Sequence, residues 1–237
     1  MLNFEHMTKL LVTTFAMACA MLANGAPNEL TPQEIAEGWK LLFDGKTTAG
    51  WRGFTKEAFP DKGWIVEEGI LKKVGGVRGG DIITKDTFGD FDFRWEWRIG
   101  PRANNGIKYF ITEERDGGAI GHEYQMVDDV LEKMDKNKTA SFYQVLPPRE
   151  DKPLKPPGEW NASRVVVKGN HVEHWLNGAK VLEYELGSEQ VKAAVANSKF
   201  KSVKGFGEKL KGHILLTDHG SEAWFRNIRI RELPAGS

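Results

Sequence analysis

The sequence predicts an all-β protein, a two-sheet antiparallel sandwich of jelly-roll type with one or two short accessory helices. Residues 91–99 alternate strictly, with apolar residues at the odd positions and charged residues at the even ones. This is the pattern of a half-buried strand. Asn177-Gly178 lies between two strand-like segments, and this dipeptide tolerates the positive φ angles of a type I′ hairpin turn. About a dozen such segments follow one another without a βαβ alternation, which favours a sandwich.

The elements follow from local patterns. Residues 32–37 come after Thr31, a candidate N-cap, and in residues 188–198 Val191 and Val195 fall on one helical face. Five of the ten prolines lie between positions 147 and 157, which predicts a stiff, extended loop that forms a site wall. The predicted strands, separated by Gly, Asn, Asp and Pro, are residues 64–67, 70–74, 81–84, 91–99, 106–112, 123–127, 140–146, 164–168, 171–176, 179–185, 213–217 and 223–231.

Composition is that of a soluble globular chain. Of the 237 residues, 40% are hydrophobic and 28% are charged, and Lys plus Arg balance Asp plus Glu at 33 each. A neutral chain lacks the basic face that nucleic-acid binding uses, so we expect no nucleic-acid partner. The predicted organisation is a signal peptide over residues 1–25, an N-terminal segment over 26–37 and a single β-sandwich domain over 38–237.

The N-terminus has the regions of a secretory signal. Lys9 precedes an apolar run over residues 10–23, which ends in small residues. We therefore expect export to the periplasm or the cell surface, with no transmembrane segment in the mature chain, because the run is shorter than the about 20 residues that a spanning helix needs. A lipid anchor on Cys19 is the alternative. Cys19 is the only cysteine, so disulfides, thiol catalysis and cysteine zinc sites are excluded from the mature domain.

Residues 123–127 carry the first candidate site. Glu123 and Gln125 share one face of the predicted strand, because side chains alternate across it. An amide beside a carboxylate fits recognition of sugar hydroxyls or metal coordination, whereas a solvated edge strand is the structural alternative. Asp128 has the opposite parity unless a bulge resets it, so we do not expect the strand to supply the pair of carboxylates that an ordinary retaining glycosidase requires.

Three further side chains are candidates for chemistry. His219, in the turn after Asp218, is a candidate proton carrier, unless Asp218 merely stabilises the turn. Trp160 follows the proline-rich loop and is either an aromatic platform for a sugar ring or a core residue. Lys108 is either a cation aimed at an oxyanion or a surface lysine. The sequence has no phosphate loop, dinucleotide fingerprint or Gly-x-Ser-x-Gly elbow, so we expect no nucleotide cofactor.

Several motifs in sequence resemble those of the 3-keto-disaccharide hydrolase domain family, of the concanavalin A-like lectin and glucanase superfamily, over residues 38–233. The motifs are residues 39–47 (WKLLFDGKT), 50–51 (GW), 104–110 (NNGIKYF), 123–125 (EYQ), 158–161 (GEWN), 174–178 (HWLNG), 218–220 (DHG) and 225–228 (FRNI).

The resemblance implies a concanavalin A-like jelly roll, export in bacteria and cleavage of small carbohydrates, 3-keto-glucosides and 3-keto-disaccharides, whose glucose unit a sugar 3-dehydrogenase has first oxidised. The ketone at C3 acidifies the proton at C2. A base can remove that proton, the C1 substituent then leaves by β-elimination, and water adds to the unsaturated intermediate.

Roles can be assigned on this basis. His219 is expected to act as base or acid, and Glu123 as the second proton carrier or a metal ligand. Lys108 or Arg226 is expected to stabilise negative charge, and a divalent cation (Ca, Mn or Mg) is a candidate cofactor for the same purpose. The residues expected to bind the sugar are Gln125, Asp128, Trp160, Arg226 and Asn105.

Two other functions fit the same fold. A lectin-like module would bind unmodified glycans without turnover, since fold does not determine function. An ordinary glycoside hydrolase would cleave unoxidised substrates and would need two suitably placed carboxylates.

Overall fold

A computed structural model describes residues 26–115 and 118–234. The predicted signal peptide, with Cys19, lies outside the described residues. The α-helices are α1 (Pro32–Ala36) and α2 (Glu189–Ala196), and two short 3-10 turns span Asp129–Leu131 and Asp135–Asn137. The strands are β1 (Trp39–Leu41), β2 (Trp51–Gly53), β3 (Trp64–Glu67), β4 (Ile70–Lys73), β5 (Ile82–Thr84), β6 (Phe91–Ile99), β7 (Asn104–Ile111), β8 (His122–Val127), β9 (Asn161–Lys168), β10 (His171–Leu176), β11 (Ala179–Glu185), β12 (His213–Leu216) and β13 (Ala223–Glu232).

The strands form two antiparallel sheets, which confirms the predicted sandwich. The large sheet has the order β11-β10-β9-β6-β13-β4-β3, with β1 also paired to β13. The small sheet has the order β2-β5-β12-β7-β8. Sequence neighbours such as β6 and β7 lie in different sheets, as in jelly rolls, so residues that are distant in sequence meet on each sheet. None of the helices in the described part of the chain is long and apolar enough to cross a membrane.

Aromatic side chains fill the space between the sheets. The odd-numbered face of β6 points inward, and Trp95 and Trp97 are each 1% exposed. Trp95 contacts the edge of Tyr124 from the small sheet, with ring centroids 4.9 Å apart. Trp97 donates a hydrogen bond from Nε1 to Ser163 Oγ, which satisfies the buried indole N–H. The even-numbered face of β6 therefore forms the outer face of the large sheet.

The predicted turn and helices are confirmed. Asn177 and Gly178 both have positive φ angles, 47° and 85°, as a type I′ turn requires. Thr31 caps α1 in a reciprocal capping box with Glu34. In α2 the buried face includes Val191, as its spacing predicts.

One predicted strand is wrong. Residues 140–146 form turns, and within them Phe142 makes only isolated bridges, to Tyr124 and Leu146. Ala140 and Gln144 adopt positive φ angles of 69° and 67°, which are incompatible with a continuous strand. The segment bonds to the edge of β8 through its backbone, with Ala140 N–H donating to Gln125 O and Tyr143 N–H donating to Glu123 O, while the Phe142 ring stacks on Tyr184 in the core. Strands β1 and β2 were missed because three residues are too few to show a period of two, and neither contains an apolar run such as Ile82-Ile83, which marks the equally short β5.

Candidate active site

The outer face of the small sheet carries the candidate site. On β8, Tyr124 and Met126 point into the core, where Met126 Sδ accepts a hydrogen bond from Trp95 Nε1. Because side chains alternate along a strand, Glu123 and Gln125 lie together on the opposite face. Both are nonetheless buried, at 6% and 1% exposure, so the solvated edge strand considered above does not describe them.

The antiparallel pairing of β7 with β8 places two β7 residues beside Glu123 and Gln125. Lys108 lies opposite Glu123, and Gly106 lies opposite Gln125. The absence of a side chain at Gly106 makes room for the carboxylate: a Cβ built at Gly106 would lie 2.1 Å from Glu123 Oε1. Gly106 therefore forms the floor on which the Glu123 carboxylate lies.

His219 meets Glu123 at this floor. The distance between His219 Nε2 and Glu123 Oε1 is 3.9 Å, and the side chains are 42% and 7% exposed, respectively. The structure thus joins the two residues predicted as proton carriers, one at the base of the site and one at its rim. A separation of this size allows a proton to pass through one water molecule or after a small side-chain movement.

Asp218 holds the turn that presents His219. Its carboxylate accepts hydrogen bonds from the backbone N–H groups of Gly79 and Gly80, at 2.8 and 2.9 Å, and forms a buried ion pair with Lys73 at 3.0 Å. Burial raises the pKa of Asp218. The hydrogen bonds from Gly79 and Gly80 and the Lys73 ammonium together lower it by more than burial raises it, so the pKa lies below its ordinary value. Asp218 is therefore a charged anchor for the turn.

Lys199 was missed by the sequence analysis. It follows the end of α2 and lines a cavity of about 350 Å³ together with Asp81, Lys108 and Glu123. Its Nζ lies 4.4 Å from the centroid of the Tyr143 ring. Burial lowers the pKa of Lys199 and the charge of Lys108 adds to this shift, while Glu123 opposes it. No strand or turn pattern surrounds Lys199, so no local signal in the sequence could have found it.

Tyr143 forms another wall of this site. It comes from the wrongly predicted strand, and its backbone N–H donates a hydrogen bond to the carbonyl oxygen of Glu123 at 3.0 Å. Burial raises the pKa of Tyr143, and the nearby Glu123 carboxylate raises it further. The phenol is therefore a neutral hydrogen-bonding group at neutral pH.

The two predicted amide residues differ in availability. Asn105 is fully buried; its Nδ2 donates to Thr217 O at 3.0 Å and its Oδ1 accepts from Gly106 N at 2.9 Å. Asn105 therefore ties β7 to the end of β12 and positions Gly106, instead of facing a sugar. The Oε1 atom of Gln125 is equally buried but has no hydrogen-bond partner among the described residues, so of the two amides Gln125 is the one with an unused acceptor.

Arg226 and Trp160 lie elsewhere, which corrects their predicted place in the site. The guanidinium of Arg226 stacks on Trp160, 4.2 Å from a ring centroid, and Nε donates to Glu96 Oε2 at 2.7 Å. Glu96 belongs to the outer face of the large sheet, whereas Glu123 lies on the outer face of the small sheet. The two groups are thus on opposite sides of the sandwich, because sequence motifs do not reveal which sheet a strand joins.

Asp128 is also outside the cavity that Glu123 lines. Its Oδ2 accepts a hydrogen bond from Arg102 N at 2.9 Å, and its side chain caps the 3-10 turn that begins at Asp129. These contacts give Asp128 a structural role where β8 ends. The predicted contact between Asp128 and a sugar is therefore not supported by its position.

The side chains around Glu123 do not fit a hard divalent cation. Lys108 and Lys199 line the same cavity and bring positive charge, whereas Ca²⁺ and Mg²⁺ take six or more oxygen ligands. Within residues 26–115 and 118–234, the group whose ligand atoms come close enough for a metal is His171, Glu173 and Glu183 on the β10–β11 hairpin. We therefore assign no metal step to Glu123.

Known proteins share this architecture. A proposed glycosyl hydrolase from Parabacteroides distasonis matches with a TM-score of 0.79 and 36% identity over 88% of this chain and 100% of its own. A second one from the same organism matches with a TM-score of 0.68 and 29% identity over 82% and 99% of the two chains. A 3-keto-disaccharide hydrolase from Bacteroides thetaiotaomicron is 34% identical over 84% of this chain and 79% of its own.

The protein is thus a jelly-roll sandwich that carries a cavity lined by charged side chains on the outer face of its small sheet. The family model of the 3-keto-alpha-glucoside-1,2-lyase-like domain matches residues 38–231. The chain belongs to this family, which confirms the resemblance read from its motifs.

Proposed function

We propose that the protein is an exported carbohydrate-active hydrolase that cleaves 3-keto-glucosides and 3-keto-disaccharides by β-elimination followed by hydration. Family membership and the name of the Bacteroides relative support a hydrolase acting on carbohydrates. The observation that carries the mechanism is the pairing of His219 with Glu123, 3.9 Å apart, beside a cavity lined by Lys108 and Lys199. A carboxylate, an imidazole and two ammonium groups are the parts that this reaction needs.

Glu123 is the base in this proposal. Its carboxylate removes the C2 proton of the oxidised glucose unit, the electron pair of the C2–H bond forms a double bond between C2 and C3, and the π pair of the C3 carbonyl moves onto its oxygen, which gives an enolate. As the enolate collapses, the carbonyl re-forms, a double bond forms between C1 and C2, the bond between C1 and the departing oxygen breaks, and His219, as the imidazolium, donates a proton to that oxygen. Water then adds to C1 with neutral His219 as base, and C2 recovers a proton from Glu123 after the carboxyl proton has exchanged with solvent. The sum is hydrolysis.

Lys108 and Lys199 stabilise the enolate in this proposal. Lys108 is held by a hydrogen bond from Nζ to Ala119 O at 3.1 Å, and Lys199 is held against the Tyr143 ring. Preorganised cations stabilise the charge that develops in a transition state most strongly when the site is shielded from water. Gln125, with its unpartnered Oε1, accepts a hydrogen bond from a sugar hydroxyl.

Proton NMR in D₂O tests the reaction. The mature protein is mixed with a 3-keto-glucoside or with its unoxidised parent. We expect cleavage of the keto compound alone, with deuterium at C2 of the product. Cleavage of the parent would instead indicate an ordinary glycosidase, with Asp81 in the cavity as the second carboxylate. Line broadening without turnover would indicate a sugar-binding module. Loss of turnover in EDTA and recovery with added Ca²⁺, Mn²⁺ or Mg²⁺ would contradict the metal-free mechanism.

Glu123→Gln and His219→Ala test the assigned roles. Each should lower kcat/KM for the keto substrate by about 10²- to 10⁴-fold, which is the usual contribution of a positioned acid or base. Glu159→Gln and His171→Ala make the same chemical changes outside the cavity and should leave the rate unchanged. Circular dichroism confirms that all four variants fold. A full rate in Glu123→Gln would remove Glu123 from the mechanism.

Export is part of the proposal and is supported by the signal pattern before residue 26. Expression of the full chain in a Gram-negative host, followed by fractionation, should place a shortened protein in the periplasm. Globomycin, which blocks lipoprotein processing, should leave that shortening unchanged. A full-length protein in the cytoplasm would contradict export.

A further inference from the structure

Three arginines lie side by side on the outer face of the large sheet. Arg229 of β13 is in register with Arg94 of β6, and Arg94 is in register with Arg164 of β9. Trp175 of β10 continues the row opposite Arg164. Like charges directly opposite one another destabilise a sheet, so this row needs compensating negative charge.

A buried carboxylate compensates part of this charge. Asp92, whose side chain is 1% exposed, bonds Arg94 at 3.0 Å and Arg164 at 2.8 Å, and it lies 3.6 Å from Arg231. Arg231 is also paired with Glu37, at 3.5 Å, so Asp92 is the carboxylate that Arg94 and Arg164 share. Arg229 is paired separately with Glu34. The region around Asp92 therefore keeps an excess of positive charge, which attracts an anion.

A groove of about 300 Å³ runs beside this row. Arg94, Arg164, Glu96 and Trp175 line it, and the small side chain of Ala162 forms part of its floor. Trp175 offers an aromatic surface, with the Arg164 guanidinium 5.2 Å from its ring centroid. A ring-sized groove with one aromatic side and several charged hydrogen-bonding groups suits a sugar, and planar guanidinium groups suit a carboxylate.

We propose that this groove is a second carbohydrate site, which binds an acidic sugar of the hexuronate class. The carboxylate of the sugar pairs with Arg94 and Arg164, its ring packs against Trp175, and a hydroxyl donates to Glu96. The groove lies on the face opposite Glu123. It can therefore hold an acidic unit of a longer glycan independently of the reaction on the small sheet.

Titrations with three probes at fixed ionic strength test the proposal. The mature protein, labelled with ¹⁵N, is titrated with methyl β-glucuronide, methyl β-glucoside and acetate, and the indole N–H signal of Trp175 is followed after its assignment with Trp175→Phe. We expect the glucuronide to shift this signal with an affinity at least 10-fold higher than the other two probes. Equal affinity for acetate would reduce the groove to an anion site, and equal affinity for the glucoside would remove the acidic requirement. Either result would overturn the proposal.

Matched variants locate the binding. Arg164→Gln removes a groove charge, whereas Lys168→Gln removes the same charge from an exposed residue farther along β9. Ala162→Leu fills the groove without altering an ion pair. Arg164→Gln and Ala162→Leu should weaken glucuronide binding at least 10-fold, while Lys168→Gln and Glu123→Gln should bind as the native protein does. Native affinity in folded Ala162→Leu would place the ligand elsewhere and contradict the site.

Discussion

At the scale of single residues, Gly106 decides where the Glu123 carboxylate lies. Gly106→Ala should displace Glu123, because the added Cβ would lie 2.1 Å from Oε1 and 2.9 Å from Cδ. The carboxylate is the end of a flexible side chain, so it can rotate away and the sheet can remain folded. A shift of about 1 Å in a reacting group costs on the order of 10²-fold in rate. We expect a loss of that size in kcat for the keto substrate, measured by NMR.

Gly100→Ala is the matched control. No atom lies within 4 Å of a Cβ built at Gly100, so both turnover and the urea midpoint should remain near the native values. If Gly106→Ala turned over at the native rate, the position of the Glu123 carboxylate on this floor would not matter for the reaction.

At the scale of elements, the turn between β12 and β13 depends on a buried ion pair. Asp218→Asn leaves the Lys73 ammonium without its carboxylate, and the two side chains are 1% and 0% exposed. Removing one partner of a buried pair costs about 3–5 kcal/mol, because the remaining charge has lost both water and its counterion. The free energy of unfolding, measured by urea titration at pH 7, should fall by that amount.

The neighbouring lysine on β4 provides the comparison. Lys72 pairs with Glu222 at 2.8 Å, with side chains 22% and 40% exposed. Glu222→Gln should therefore cost less than about 1 kcal/mol, as for other solvent-accessible pairs. Similar losses for Asp218→Asn and Glu222→Gln would argue against a special role for the buried pair. Because Asp218 also orients the turn that carries His219, its variant should lose turnover as well.

At the scale of the whole molecule, two buried histidines link stability to pH. Burial, reinforced by Arg115 and His174, lowers the pKa of His122 to about 3. Burial lowers the pKa of His174 to about 4, against the opposing hydrogen bond to Ala140 O. In the unfolded chain both histidines have a pKa of about 6.5. Below that pH the unfolded chain binds protons that the folded protein does not, so stability falls as the pH falls from about 6.5 towards 4.

Urea titrations at pH 7.5 and pH 5.0 measure this dependence. Each histidine contributes up to about 1.4 kcal/mol per pH unit over the roughly 1.5 units below about 6.5, which is about 2 kcal/mol each, so the free energy of unfolding should fall by about 4 kcal/mol in total. His122→Gln should remove roughly half of the fall. His171→Ala should steepen it slightly, since the hydrogen bonds that His171 donates to the Glu185 and Glu173 carboxylates outweigh burial and raise the pKa of this partly exposed histidine. An equal free energy at both pH values would contradict neutral, buried histidines.

The fold was largely predictable because its signals are local. The alternation in residues 91–99 and the Asn177-Gly178 turn each report on a few neighbouring residues, and the structure confirms both. The prediction for residues 140–146 failed because their backbone bonds to the edge of β8 through turns while Phe142 packs in the core, and a period count cannot distinguish this arrangement from a strand.

The site was predictable only in part. Local alternation placed Glu123 with Gln125, and the turn after Asp218 marked His219. Lys199 follows a helix, where the sequence has no periodic pattern, and Tyr143 lies in a turn whose residues the sequence predicts as a strand. Their place beside Glu123 depends on how distant segments pack, which local patterns do not encode.

By itself, then, the sequence determined the strand content, the hairpin turn, the shared face of Glu123 and Gln125, and the family. Each of these depends on neighbouring residues or on motifs in a fixed order. Only the tertiary structure decided that His219 meets Glu123 and that Arg226 and Trp160 lie on the opposite face. The physical reason is that sheet order arises from long-range pairing: β13, which carries Arg226, pairs with β6 in the large sheet, while β8 pairs with β7 in the small one.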